Sequence, residues 1–241
     1  MSAGPPSSEI QEQRQYYERT ASHYDAMHLN PADEHGRALG AFMGLAEAFG
    51  PIMSVLDVGA GTGRAIHKLK ARWPDAKIVG VEPVAALREA GYRNGVSTSE
   101  LVPGDALNLH FADNSFDYVV ETGVLHHISH PSQAVKEMAR VASKGVMLSD
   151  NNNIGQGSSV VRAAKYIAKS IGLWPALVWM QTGGKMYKTS EGDGVFYSFS
   201  AFDCVGILKS KFPIIHYLNT GRCAGFNLYR GATHVMIFAR K

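Results

Sequence analysis

The stretch VLDVGAGTGR, Val55 to Arg64, decides the fold of this 241-residue chain. Its apolar start is typical of a buried strand, three glycines then alternate with other residues, and the segment after Arg64 begins a helix. Glycine lets a ligand approach the backbone closely, and the amide groups at a helix N-terminus attract polar or anionic groups. We therefore predict a strand, a ligand-binding turn and a helix, with Asp57 at the strand end and the turn formed by Gly59, Ala60, Gly61 and Gly63.

The next predicted strand, residues 77–81, ends beside Glu82. A carboxylate about 20 residues after such a glycine turn is where nucleotide-binding βαβ units hold the ribose hydroxyls. The dinucleotide fingerprint G-x-G-x-x-G is not fulfilled, because Arg64 stands at the third glycine position. We therefore predict a ribose-bearing ligand in preference to a dinucleotide, with Glu82 and the adjacent Pro83 beside it.

Strands alternate with helices over the first 150 residues. Strands are predicted at 53–58, 77–82, 99–103, 116–121 and 144–150, and helices at 63–72, 84–93 and 131–142. This alternation indicates an α/β fold with a doubly wound, mostly parallel sheet, and strands near 212–220 and 232–239 would close it as an antiparallel pair. Ligands bind beyond the carboxyl ends of such strands, where the sequence places Asp57, Glu82, Asp105, Glu121 and Asp150.

Three motifs, in order, carry a resemblance to a known family. They are the G-x-G-x-G turn, FADNSFDYVVETGVLHHI at 111–128 and HPSQAVKEMARVASKGVML at 130–148. Together they resemble the class I S-adenosylmethionine (SAM)-dependent methyltransferases, in the small-molecule, type 11-like group. The resemblance implies a seven-stranded Rossmann-like sheet with an antiparallel final strand. The resemblance spans about residues 16–150. We predict one domain over 1–241, with an N-terminal helical cap at 1–50 and a helical insert at 151–200 over the acceptor site.

The resemblance implies S-adenosyl-L-methionine as cofactor and assigns its contacts. The glycine turn would pass under the methionine and ribose, and Glu82 would accept the ribose hydroxyls. Asp105 would accept from the adenine amino group with Ala106 beside the ring, and Glu121 and Thr122 would lie near the methionine end. The string YYERTASHYDAMH resembles the family's N-terminal cap, so the lid candidates are Tyr16, Tyr24 and His28.

Histidines cluster just after the fourth predicted strand. A hydroxyl acceptor must lose a proton, and histidine is the usual base near neutral pH. His127 and His126 are therefore the candidate catalytic bases, with a purely structural role as the alternative. No metal site is predicted from His126, His127 and His130, since adjacent histidines rarely face one ion.

The acceptor is narrowed by motifs that are absent from the sequence. No N/D-P-P-Y/F motif follows the fourth strand and no Pro-Cys nucleophile occurs, so we predict no nucleic-acid partner. We expect a small or medium-sized acceptor, with O-methylation of a glycan precursor or natural product as the first hypothesis. The alternatives are a membrane-surface lipid or quinone methyltransferase and a non-catalytic SAM-binding interaction module.

The insert at 151–200 should decide between these acceptors. It combines an apolar stripe, basic residues at Arg162, Lys165 and Lys169, and an apolar decad at 171–180 that contains Trp174 and Trp179. Residues 151–241 hold 11 Lys and Arg against 3 Asp and Glu. These features allow three interpretations. The insert could bind an acceptor that has an apolar or ring portion and an anionic group, contact an anionic membrane surface, or form a helical packing or dimer contact.

The overall composition is that of a globular chain, with 45% hydrophobic and 19% charged residues. Two cysteines, Cys204 and Cys223, provide neither a disulfide framework nor metal-ligand spacing. No apolar run reaches the ~18–20 residues of a membrane span. We therefore expect a cytoplasmic protein, and the sequence does not define its oligomeric state.

Overall fold

A computed structural model describes residues 8–21, 33–223 and 225–241. The strands are β1 (Ser54–Val58), β2 (Lys77–Val81), β3 (Leu101–Val102), β4 (Phe116–Thr122), β5 (Ala142–Asn151), β6 (Tyr187–Ser190), β7 (Gly194–Tyr197), β8 (Ile214–Asn219) and β9 (His234–Arg240). The α-helices are α1 (Ser8–Thr20), α2 (Glu34–Glu47), α3 (Arg64–Arg72), α4 (Ala85–Arg93), α5 (Pro131–Val141), α6 (Ser159–Ser170), α7 (Trp174–Gln181), α8 (Val205–Lys209) and α9 (Leu228–Gly231).

Seven strands form one sheet in the order β3-β2-β1-β4-β5-β9-β8. Strands β1 to β5 run parallel, and β9 is antiparallel to both β5 and β8. The predicted doubly wound sheet with a reversed final strand is therefore confirmed. The strand order reverses between β1 and β4, where Val58 pairs with Glu121, and this switch point is where an open α/β sheet forms its ligand crevice.

The sheet is covered on both faces because its buried strands are apolar on both sides. On β1, Val55 packs in the layer of α2 and α3, whereas Leu56 packs in the layer of α5 and α8. Phe42 of α2 is fully buried, and its ring makes edge contacts with Trp73, Tyr118 and Phe238. The two layers hold the carboxyl ends of the parallel strands at one edge of the molecule.

Helix α1 ends at Thr20, within the helical cap predicted for residues 1–50. Tyr24 and His28, two of the lid candidates, lie outside the described residues. Helix α2 begins after Asp33, whose carboxylate accepts from the Gly36 amide and from Arg64 Nη1 at 2.7 Å. This contact ties the start of α2 to the first turn of α3.

The insert consists of α6, α7 and the hairpin β6–β7, which forms a separate two-stranded sheet. The apolar stripe of α6 would ordinarily face the core, but Val160 and Ile167 are 79% and 57% exposed. The basic side faces inward instead, because Lys165 Nζ donates to the Asn153 carbonyl at 2.8 Å and Lys169 pairs with Asp203. Helix α6 therefore presents its apolar side to solvent.

No helix in the described ranges has the length and hydropathy needed to cross a membrane.

Candidate functional site

The glycine turn after β1 closes onto the end of β2. The Gly59 and Ala60 amides both donate to the Val81 carbonyl, at 2.9 and 3.0 Å. Gly59, Gly61 and Gly63 all have positive φ angles, of 74°, 55° and 84°. Since L side chains rarely adopt such angles, the alternate glycines of the sequence are needed for this turn. The turn brings the backbone of residues 59–63 to the switch point.

Glu82 follows β2 and is buried beside that turn. Its carboxylate accepts from the Gly61 amide at 3.0 Å and from the Val84 amide at 2.8 Å. Burial raises the pKa of Glu82 to about 7, although these hydrogen bonds oppose the shift. Each carboxylate oxygen thus has one backbone donor and retains capacity for another.

Glu82 lines a cavity of about 150 Å³ between β2, α4 and α1. Its apolar walls include Val81, Val84, Leu87, Ala106 and Ile128, and Pro83 and Asp105 also line it. Asp105 accepts from the Leu107 amide at 2.9 Å, and Arg14 of α1 lies 4.0 Å from its other oxygen. The structure therefore brings Glu82, Pro83, Asp105 and Ala106 together, as the sequence predicted for a nucleoside-type ligand.

A second cavity, of about 420 Å³, adjoins the first. The two share five lining residues, namely Tyr17, Gly59, Thr122, Gly123 and His127. The second cavity is lined mostly by polar residue types and contains Asp57, whose Oδ1 is buried without a hydrogen-bond partner among the described residues. Burial raises the pKa of Asp57 to about 7. An unpartnered buried acceptor of this kind suits a ligand with N–H donors.

His126 is buried against Asp150 at the end of β5. Its Nδ1 lies 2.7 Å from Asp150 Oδ1, and its Nε2 lies 3.6 Å from Asp193 Oδ2. Burial disfavours the charged ring, but the two carboxylates outweigh this and raise the pKa of His126 to about 10. The ring therefore favours its protonated form in this arrangement. The general-base role of His126 stays a prediction.

His127 lines both cavities. Its Nδ1 lies 2.6 Å from the Val195 carbonyl, which can only accept, so Nδ1 carries the proton of this hydrogen bond. Its Nε2 lies 3.5 Å from Asp193 Oδ1. The catalytic role of His127 stays a prediction.

Asp193 is a site residue that the sequence did not reveal. It lies in the turn between β6 and β7, and one of its oxygens faces each histidine Nε2. The segment SEGDG predicts only a turn, and nothing local in it indicates that the turn folds back onto residues 126 and 127. A 3₁₀ turn at Leu125–His127 brings both histidine rings close to Asp193, although the sequence did not favour a common point for adjacent histidines.

Two other predicted site residues, Glu121 and Tyr16, do not line the first or the second cavity. Glu121 is fully buried, and its carboxylate accepts from the Val124 and Ser149 amides, so it ties strands together instead of facing a ligand. Tyr16 points away from both cavities, and its hydroxyl donates to the Glu191 carbonyl at 3.0 Å. The adjacent Tyr17 lines both cavities instead, since neighbouring residues of a helix lie about 100° apart.

The insert encloses a third cavity, of about 380 Å³, that shares Asn151 and Asp193 with the second. Its aromatic lining consists of Trp174, Tyr187, Phe196, Tyr197 and Phe199. Trp174 Nε1 and Asn153 Oδ1 are buried there without hydrogen-bond partners among the described residues. The cavity therefore offers ring faces together with one donor and one acceptor.

Comparison with known proteins agrees with this geometry. Residues 56–149 match a family model described as a methyltransferase domain. A demethylmenaquinone methyltransferase of Roseiflexus is 32% identical over 145 residues, covering 58% of this chain and 60% of the relative. A protein of the same name from Staphylococcus aureus is 38% identical over 96 residues, covering 39% and 40%. The matches thus span at most 60% of the length of these two relatives.

Solved structures share the fold at low sequence identity. A SAM-dependent methyltransferase of Thermotoga maritima, described as a possible histamine N-methyltransferase, has a TM-score of 0.55 at 20% identity, covering 94% of this chain and 99% of that one. A SAM-dependent methyltransferase of Mesorhizobium loti has a TM-score of 0.52 at 14% identity, covering 83% and 98%. The chain therefore carries a methyltransferase domain at residues 56–149 and has the fold of the class I SAM-dependent methyltransferases.

Proposed function

We propose that this protein is a SAM-dependent methyltransferase that acts on a small or medium-sized, ring-bearing acceptor. Two adjoining cavities at the switch point of the sheet carry the proposal. One is lined by Glu82 and apolar side chains, which suit a nucleoside, and the other is polar and extends toward the insert. Such a pair allows one cofactor to extend across the shared residues Thr122, Gly123 and His127. An acceptor in the insert cavity would then approach it at Asp193, which lines both the second cavity and the insert cavity.

The residues present fit S-adenosylmethionine. Glu82 has acceptor capacity for two ribose hydroxyls, and the apolar walls around Leu87 suit an adenine ring. The unpartnered Asp57 oxygen suits the ammonium group of the methionine part, because a buried carboxylate is stabilised by a cation. We propose that Gly59, Ala60, Gly61 and Gly63 form the floor of this site, with Thr122 at the methionine end.

SAM supplies an already activated methyl group when it is bound. The chain therefore has to position the acceptor and exclude water, which is catalysis by proximity and orientation. Tyr17 lines both cavities, and its ring centroid lies 5.9 Å from that of His127. The Asp150 carboxylate fixes the orientation of the His126 ring, and the Val195 carbonyl fixes that of His127. The two rings can therefore form a rigid side of the acceptor site.

The aromatic insert cavity is the proposed acceptor site. Ring faces bind well against aromatic side chains, and Trp174 Nε1 and Asn153 Oδ1 can bond a carbonyl and a hydroxyl. A quinone or quinol would satisfy all three features, and the relatives named above act on demethylmenaquinone by name. O-methylation of a glycan precursor or natural product is the alternative that the same cavity allows.

A second observation favours an acceptor held at a membrane surface. The exposed apolar side chains of the insert include Val160, Ile167, Ile171, Leu173, Trp179 and Met180. Single exposed apolar side chains are normal on a soluble protein, but these six within residues 160–180 suggest a binding role. We propose that this face contacts lipid while the aromatic cavity receives the ring of a lipid-borne acceptor.

We also propose that the chain works as one domain. Gln13 of α1 contacts the β6–β7 hairpin, donating from Nε2 to the Asp193 carbonyl at 3.3 Å and accepting from the Val195 amide. The N-terminal helix, the insert and the sheet therefore meet around one site.

Calorimetric titration with SAM, followed by an acceptor panel, tests the proposal. We expect micromolar SAM affinity and methylation of a demethylmenaquinone-type quinol in preference to sugar or natural-product phenols. SAM binding without methylation of any acceptor would favour the non-catalytic interaction module. Absence of SAM binding by the folded protein would overturn the proposal.

A further inference from the structure

We propose that His126, His127 and Asp193 bind a divalent transition-metal ion where the second cavity meets the aromatic insert cavity. The three side chains come from two distant segments, the turn after β4 and the β6–β7 hairpin. One ligand atom of each lies within 4.8 Å of the others. Two imidazoles and one carboxylate are a ligand set suited to zinc, iron, nickel or cobalt, and three protein ligands leave a coordination position open.

The donor separations fit a metal ion. The two histidine Nε2 atoms lie 3.6 and 3.5 Å from the Asp193 carboxylate oxygens. Ligands at about 2.0–2.2 Å from a tetrahedral ion stand roughly 3.4 Å apart, so small side-chain movements would complete the coordination. His126 and His127 lie with ring centroids 4.0 Å apart and tilted by 45°, which allows both Nε2 atoms to face one point.

The surroundings of the three ligands support the same assignment. In metal sites the other ring nitrogen of a histidine ligand usually donates to a carboxylate or a backbone carbonyl. Here His126 Nδ1 is bonded to Asp150 and His127 Nδ1 to the Val195 carbonyl. Both Nε2 atoms are thereby directed at Asp193.

The hairpin is held in the position that the site requires. Gln13 bonds the Asp193 carbonyl and the Val195 amide, and the Tyr16 hydroxyl bonds the Glu191 carbonyl. These contacts fix the turn on both sides of Asp193. The insert thus contributes a ligand to the centre instead of only covering it.

The location gives the ion a function, which rests on the proposed methyl transfer. Asp193 lines both the second cavity and the aromatic insert cavity. A hydroxyl bound at the open position loses its proton to solvent more readily, because the ion stabilises the resulting oxyanion. An acceptor oxygen activated in this way needs no histidine as a general base.

Cobalt titration of the tag-free, chelator-treated protein tests metal binding without cofactor or acceptor. We expect one equivalent of Co²⁺ per chain, visible absorption bands, and displacement of the cobalt by Zn²⁺. Loss of a group that only orients a metal ligand weakens metal binding by roughly 10–100-fold. Asp193→Asn removes a proposed ligand itself, so it should weaken cobalt binding by more than that. Asp193 is 44% exposed in its side chain, so this variant should fold.

His127→Asn provides a second ligand variant, and His130→Asn provides the matched control, since His130 is an exposed histidine three residues away. We expect the first to lose cobalt binding and the second to keep it. Equal affinity of Asp193→Asn and the unchanged protein, or absence of bound cobalt, would overturn the metal site. Separate SAM calorimetry on the same samples shows whether the methyltransferase proposal survives that result.

Discussion

Glu82 is the residue on which the proposed cofactor site depends most. Glu82→Gln keeps the size of the side chain but removes its charge and replaces one acceptor oxygen with a donor. We expect SAM affinity to fall by about 1.5–3 kcal/mol, the range for hydrogen bonds to charged groups. This corresponds to about a 10- to 150-fold higher Kd in calorimetry.

The matched control for this change is Glu89→Gln on the exposed side of α4. It removes the same charge without touching the cavity, so SAM affinity should stay unchanged. A Glu82→Gln protein that melts cooperatively and binds SAM as tightly as the control would refute the ribose assignment.

Asp57 should make folding stability depend on pH. Burial raises its pKa from 3.8 to about 7, so the folded chain binds more protons than the unfolded chain. The stabilising contribution of the protonated form is complete below about pH 4 and is lost as pH rises through about 7. Asp57→Asn should therefore gain stability relative to the unchanged protein at pH 8, by up to about 4 kcal/mol, and lose that gain toward pH 4.

Urea midpoints at pH 4.5 and pH 8 measure the effect. Asp75→Asn is the control, since Asp75 is exposed and its change should be the same at both pH values. If Asp57→Asn shifts the midpoint equally at both pH values, the buried carboxyl is not the source of the dependence.

Sequence patterns could predict which residues end the strands but not always where their side chains point. Glu82 and Glu121 both end parallel strands, yet only Glu82 faces a cavity, because Glu121 is taken up by the Val124 and Ser149 amides. The difference between Tyr16 and Tyr17 is of the same kind. It depends on the rotation of α1 about its axis, which the contacts of Gln13 with the hairpin determine.

At the scale of elements, the hairpin β6–β7 and helix α1 stabilise each other. Gly194 has a φ of 66°, and a Cβ there would lie 2.4 Å from Gln13 Oε1 and 2.8 Å from the Tyr16 ring. Gly194→Ala should cost more than about 1 kcal/mol from the backbone angle alone, and the collision should separate α1 from the hairpin. We expect a lower melting temperature and faster amide exchange in residues 8–20.

Gly192→Ala is a control two residues away, where an added Cβ meets no atom within 4 Å. It should leave both the melting temperature and the exchange of α1 nearly unchanged. Equal exchange of α1 in the two variants would show that the hairpin does not hold the helix.

The core elements were predictable because their signals are local. Apolar strand runs, the glycine turn and the helix periods define β1 to β5 and α3 to α5 within a few residues. The insert was not predictable in the same way. Its hairpin has only a turn signal, and the orientation of α6 depends on Lys165 donating to the Asn153 carbonyl and on Lys169 pairing with Asp203, contacts with other segments of the chain.

At the scale of the whole molecule, charge and exposed apolar surface lie on the same part of the chain. Residues 151–241 carry 11 Lys and Arg against 3 Asp and Glu. The insert within that range also exposes Ile167 and Ile171, at 57% and 63%. Lys165 and Lys169 face inward, so the outward apolar side of α6 would enter the lipid while the net positive charge of residues 151–241 attracts an anionic surface at longer range.

Vesicle co-sedimentation tests this expectation. The protein should sediment with phosphatidylglycerol-containing vesicles and much less with neutral phosphatidylcholine vesicles, and higher salt should reduce the binding. The double variant Ile167→Asp, Ile171→Asp should lose most of it. Met53→Asp is the control, because Met53 is 63% exposed but precedes β1, at the opposite edge of the sheet from the insert. Loss of binding in Met53→Asp as well, or no sedimentation of the unchanged protein, would exclude the membrane contact and favour a water-soluble acceptor.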